Sequence, residues 1–156
     1  MLSQLANLSV EADGRYAVQS ELQFLKDYFQ SLNLRLSAYK KIQAAEKEII
    51  RDVETKILST SPNLLLRGSQ DATSKWRLDT VRVLRHSAAA LLIDDRNRLR
   101  DRLLLWFQTI LGSFQAKKSS EVTFQIMQDA IKQYLTAEEA SLFIPILEMS
   151  RTTFSK

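Results

Sequence analysis

The residues that could do chemistry in this chain gather between Trp76 and Gln108. Seven arginines lie there (Arg77, Arg82, Arg85, Arg96, Arg98, Arg100 and Arg102), with the only histidine, His86, and both tryptophans. Guanidinium groups at that density suit anions or acidic surfaces, because each presents a planar, permanently charged fork of donors. His86 is the one imidazole that could ligate a haem iron, and one histidine cannot build a histidine-rich metal site. The absence of cysteine removes disulfides, thiolate metal sites, cysteine nucleophiles and thioether-linked cofactors. No Ser/His/Asp set, glycine-rich phosphate loop or paired carboxylate cleft is visible, and Asp94-Asp95 reads as a helix boundary. Neither an enzyme nor a metal protein is expected.

The elements that must position these residues are helical. Only three glycines and two prolines interrupt 156 residues, so long helices fit better than a many-turned β protein. At 45% hydrophobic and 26% charged, the chain has the composition of one globular domain spanning 1–156. The net charge of +4 is mild, and without a nucleic-acid-binding motif it does not point to DNA or RNA. The N-terminus lacks the basic and apolar regions of a signal peptide, and no apolar run is long enough to span a bilayer. A cytoplasmic protein is expected.

Apolar spacing places a short amphipathic helix over residues 2–12, ending at Asp13-Gly14. A helix of that length needs something to pack on. A helix then runs from Gln19 to about Leu32, and the pattern continues from Asn33 through Ile57. Residues 59–74 read as a loop. A helix over 75–93 has its buried stripe at Leu78, Val81, Leu84, Ala88 and Leu91. After Asp94-Asp95 a second helix reaches Leu111, with Leu99, Leu103, Trp106, Phe107 and Ile110 inward and Gly112 as its stop. Residues 115–120 read as a linker, 122–135 as a helix. Thr136 to Glu139 form a capping box for a last helix, which Pro145 should kink or mark with an irregular turn. Periodicity gives seven or so helices and no strand: an all-α, globin-like architecture.

The order of motifs resembles the phycobiliprotein family, most of all its allophycocyanin group. Ala12–Tyr16 (ADGRY) followed by Glu21-Leu22 is similar to a family signature near the N-terminus. Further similar segments are Glu46–Ile50, Ser61–Leu64, Leu84-Arg85-His86, Leu99–Leu104 (LRDRLL) and Leu135–Ala140 (LTAEEA), with Pro145 beyond. The resemblance covers nearly the whole chain. It implies a globin-like phycobiliprotein fold with an N-terminal helical extension, and a place among the proteins of a phycobilisome.

The resemblance also implies what is missing. Members attach an open-chain tetrapyrrole through a cysteine; Trp76 stands at that position. Leu78 replaces an arginine that pairs with the pigment's propionates, and Trp106 replaces a glycine. The loop before Trp76 is shortened. A tryptophan and a short loop fill volume that a pigment would occupy. Asp79 falls on the pyrrole-binding aspartate, so Asp79, Arg82 and Arg85 are the cofactor-binding candidates should a bilin bind noncovalently. Asp13, Arg15 and Tyr16 fall where two subunits of the family meet, and Asp101 and Arg102 fall in the region facing them. Two readings follow. One is a pigment-free protein that binds a phycobiliprotein-like chain or a photosynthetic complex protein, as a homo- or hetero-oligomer at the cytoplasmic face of the thylakoid. The other is a noncovalent bilin or haem carrier or sensor.

Overall fold

The computed structural model describes residues 1–156, apart from the side chain of Arg67. Eight α-helices account for nearly all of it: α1 (Leu2–Glu11), α2 (Gln23–Ala44), α3 (Glu46–Thr60), α4 (Thr73–Ile93), α5 (Arg96–Leu99), α6 (Leu105–Ser113), α7 (Lys117–Ala130) and α8 (Ala137–Phe154). A turn of 3₁₀ helix over Gln19–Leu22 leads into α2, and a π-helical segment over Arg100–Leu104 joins α5 to α6. The fold is the all-α, globin-like one.

One apolar cluster draws on α2 to α8. Its centre holds Ile49, Ile57, Leu84, Leu91, Leu104, Met127, Phe143 and Leu147, all fully enclosed. The densest packing runs α7 on α8 and α3 on α7, with α2 and α8 across α4. Tight interlocking of this kind gives the molecule its rigidity. The α8 N-terminus is fixed by the Thr136–Glu139 capping box, in which the Thr136 hydroxyl accepts from the Glu139 N–H at 3.2 Å. Glu139 also reaches α2, accepting from Lys41 Nζ at 2.8 Å and Ser37 Oγ at 2.7 Å. Burial by itself would raise its pKa, but these donors and the Thr136 N–H hold the carboxyl down at about 2.

Several sequence expectations are corrected. The long pattern from residue 19 to 57 is two helices, broken at Ala45, where φ −96° and ψ 9° leave the helical region. The supposed loop contains a two-stranded hairpin, β1 (Leu66–Arg67) against β2 (Gln70–Asp71), turning at Gly68 with φ +61°. The 115–120 linker is mostly the first turn of α7, entered through Gln115 at φ 54°. Helix α8 runs through Pro145 without interruption, with Phe143, Ile146 and Leu147 locked in the core on either side. Core packing there outweighs the one lost backbone hydrogen bond.

The elbow between α4 and α5 is held from beneath. Asp94 closes α4 in the left-handed region at φ 50°, which a short polar side chain tolerates. Arg35 of α2 is buried, donates from Nη1 to the Leu91 carbonyl at 2.8 Å and pairs with Asp94 at 3.1 Å. A cation is thereby set at the negative end of α4. Tyr28 adds a hydroxyl on the Leu92 carbonyl at 3.1 Å.

Candidate functional site

Trp76 enters the core from the first turns of α4. It is 7% exposed, and its indole N–H donates to Thr123 Oγ1 of α7 at 2.8 Å. Thr123 in turn donates to the Ser119 carbonyl at 2.6 Å. The cleft left beside the indole, between α4, α6 and α7, holds about 70 Å³. A site for a drug-sized ligand offers roughly 300–1,000 Å³. Lys75 closes one side of the cleft: its ammonium pairs with Asp79 at 3.1 Å and lies 5.8 Å from the Phe114 ring centroid.

The three cofactor-binding candidates do not converge. Asp79 lines this cleft and is engaged by Lys75. Arg85, six residues further along the helix, lies roughly 120° around the helix from Asp79. It forms a two-pronged pair with Glu46 of α3 at 2.6 and 2.7 Å. That hydrogen-bonded guanidinium lowers the Glu46 pKa. Arg82 lies between them, exposed and without a side-chain hydrogen bond or ion pair among the described residues. Leu78 is 62% exposed instead of lying in the buried stripe; Trp76, Thr80 and Val83 fill that stripe.

The second group of candidates surrounds the N-terminal arm. Helix α1 buries none of its residues, and Leu2 and Val10 are exposed. Its far end takes a hydrogen bond from Arg15 to the Glu11 carbonyl at 3.1 Å, and its contacts with the body of the fold gather at its root. The Ser3 backbone N–H donates to Asp95 Oδ2 at 2.7 Å, and the Ser3 hydroxyl donates to the same carboxylate at 2.8 Å. The Met1 ammonium donates to the Asp94 carbonyl. Asp95 is also the N-cap of α5, accepting from the Arg98 N–H at 3.1 Å. One buried carboxylate thus caps α5 and roots α1 beside it. Burial alone would raise its pKa, but the donors from Ser3 and Arg98 bring it below the ordinary value.

Past the arm, Arg15 is committed within the chain, pairing with Glu21 at 2.7 and 2.9 Å. This hydrogen-bonded pairing is the main reason that the Glu21 carboxyl is lowered to about 2. Tyr16 is 98% exposed, and Asp13 is exposed without a side-chain partner among the described residues. Asp101 pairs with its neighbour Arg100 at 2.7 Å. Arg102 is exposed and unpaired, lining a groove with His86 and Arg98. The structure therefore brings Arg102 close to the arm's root through Asp95.

Trp106, expected inward, is 54% exposed. Leu99, Leu103 and Phe107 are buried as expected, while the extra residue of the π segment also brings Leu104 inward and Leu111 takes the place expected of Ile110. Arg35 and the double duty of Asp95 had no distinct signal beyond a basic residue on a helix and an aspartate at a helix boundary. Among the described residues, no group of His, Asp and Glu side chains is placed to hold a metal ion. No helix is long and apolar enough to cross a membrane.

Comparison with known proteins accords with this geometry. Residues 7–153 match the model of the phycobilisome protein family. An allophycocyanin subunit beta-18 from Picosynechococcus sp. is 28% identical over 132 residues, covering 81% of this chain and 78% of its own. A phycobiliprotein beta chain from Mastigocladus laminosus is 26% identical over 129 residues, covering 80% of this chain and 76% of its own. With no cysteine, this chain cannot attach a bilin through a thioether. The chain belongs to the phycobilisome protein family.

Proposed function

We propose that this chain is a pigment-free, non-enzymatic member of its family that works by binding other proteins. Its partner is a phycobiliprotein-like subunit or a photosynthetic complex protein, and its place is the cytoplasm or the cytoplasmic face of the thylakoid. The observation that carries the reading is the arm: α1 buries no residue, and Tyr16 beyond it stands bare. Leu2, Leu5 and Leu8 at helical spacing give α1 an apolar stripe that the protein covers only in part, with Leu2 exposed and Leu5 and Leu8 half-buried. A second chain laid on that stripe would bury it. Asp13 and Tyr16 would face that partner, with Asp101 and Arg102 on the far side of the arm's root. Charged pairs there set register more than affinity. Arg15 acts indirectly, holding the bend between arm and body through Glu21.

The pigment-free half of the reading is supported by the packed indole of Trp76, the small cleft beside it and the use of Asp79 and Arg85 in ion pairs within the chain. The test takes the protein from its native host with an affinity tag. Mass by light scattering and the visible spectrum of the eluate are measured for wild type, Asp13→Lys and Tyr16→Ala. A colourless complex that dissociates in the variants is expected. Association unchanged in both variants overturns the interface. A visible band that follows titration with bilin or haem returns Asp79, Arg82 and Arg85 to a cofactor role.

A further inference from the structure

Arginine pairing divides this molecule. Arg15, Arg77, Arg85 and Arg151 each grip one glutamate through two oxygens, with Glu21, Glu54, Glu46 and Glu148 as partners. Arg35 and Arg100 take Asp94 and Asp101. Arg82, Arg96, Arg98 and Arg102 have no side-chain hydrogen bond or ion pair among the described residues. All four lie on α4 or on the α5–π segment leaving the elbow.

Helical spacing gathers most of them on one face. Along α4, Leu78, Arg82 and His86 follow at intervals of four residues; along the outgoing helix, Arg98, Arg102 and Trp106 do the same. All six are exposed. A groove of about 250 Å³ runs between the two rows at His86, Arg98 and Arg102, over a floor of Ala90, Leu99 and Leu103. The nearby carboxylates are already engaged: Asp79 by Lys75, Asp95 by Ser3 and the Arg98 N–H, Asp101 by Arg100. The result is an arginine-lined face with an apolar floor, whose one lining carboxylate, Asp95, is buried and held by Ser3, the Arg98 N–H and the Met1 ammonium.

We infer that this face docks an acidic, amphipathic helical segment of another protein. Carboxylates a turn apart meet Arg98 and Arg102, an aliphatic side chain enters the groove, and Trp106 and Leu78 cover the two flanks. The chemistry of the face selects this occupant. Every permanently charged group on it is arginine, whose fork matches a carboxylate in two hydrogen bonds, as the four glutamate pairs elsewhere in the chain do. Exposed tryptophan beside arginine is the composition of a protein interface centre. A recess with an apolar floor fits an inserted side chain better than a flat lipid surface. The inference rests on reading this chain as a protein binder, but its residues, apart from Arg102, are not those of the arm.

The experiment measures anisotropy of a fluorescently labelled synthetic helix carrying leucine and glutamate at four-residue spacing, against the same helix with lysine for glutamate. Wild type should bind the acidic helix, lose affinity as salt rises, and ignore the basic one. Arg98→Glu/Arg102→Glu, with folding checked by circular dichroism, should weaken binding about tenfold or more. Asp13→Lys, which breaks the arm interface, should leave it unchanged, so the two readings fail separately. Mapping the acidic helix on wild type by nuclear magnetic resonance should move the Trp106 indole N–H and the His86 ring. Equal binding by wild type and the double variant overturns the inference, as do shifts confined to other faces. So do binding to phosphatidylglycerol vesicles in place of the peptide, and a dimer of this chain that Arg98→Glu/Arg102→Glu abolishes, which would give the face to a second copy.

Discussion

The two ends of α4 solve the same problem in opposite ways. At its start, every group that could receive a ligand is spoken for. Trp76 fills the interior and satisfies its indole on Thr123, Lys75 takes Asp79, and Arg77 takes Glu54. Near its end, the elbow is rigidly built yet outwardly unmatched. Arg35 and Asp95 fix it from below, while Arg98 and Arg102 are exposed without side-chain partners among the described residues and α1 buries none of its residues. Buried or paired groups report on stability, whereas unpaired exposed ones on a rigid frame report on binding. The proposed protein-binding role would place function at the elbow and not in the cleft beside Trp76.

The largest effect should come from breaking the sealed end. Trp76→Ala removes a large buried side chain and leaves the Thr123 hydroxyl oxygen without its donor, which should cost about 3–5 kcal/mol in denaturant-monitored unfolding. If the loss is under about 1 kcal/mol, the indole is not a structural plug and the cleft is looser than its geometry implies.

An intermediate effect tests the root of the arm. Asp95→Ala deletes an N-cap, for which about 1–2 kcal/mol is expected, and also frees α1. Hydrogen exchange over residues 1–12 should then become fast, while α4 stays protected. The pH sign follows from the lowered pKa of Asp95. The folded state holds the proton less tightly than the unfolded one, so the stabilisation is full above the ordinary aspartate value of 3.8. It is lost as pH falls through the lower folded value. Wild type should therefore release its arm in acid, and Asp95→Asn should flatten that dependence.

How far the sequence disclosed this contrast depends on the kind of signal. Helix class, the capping box at Thr136 and the missing attachment cysteine were legible, because periodicity, a local four-residue motif and a residue type suffice for them. The break at Ala45 was not, since neither glycine nor proline marks it and the apolar spacing carries on across it. Trp106 was misplaced because one extra residue in the π segment changes the helical phase, leaving Phe107 inward and Trp106 on the outer side. Which arginines stay unpaired was also invisible. Glu46 meets Arg85 across 39 positions and Glu54 meets Arg77 across 23, contacts that only tertiary packing creates.

The smallest effect is the most discriminating for the comparison. Arg85→Ala breaks an ion pair between α4 and α3 whose guanidinium is largely exposed, so solvent screening should keep its cost small but measurable. Arg98→Ala and Arg102→Ala break nothing within the chain and relieve repulsion between two cations a turn apart. They should leave stability within about 0.5 kcal/mol of wild type, or raise it slightly. Added salt should narrow the difference between the two classes, since a Debye length of about 8 Å at physiological ionic strength screens exposed pairs. If Arg98→Ala or Arg102→Ala destabilises as much as Arg85→Ala does, these arginines hold the elbow together. Their lack of partners would then no longer mark a binding face.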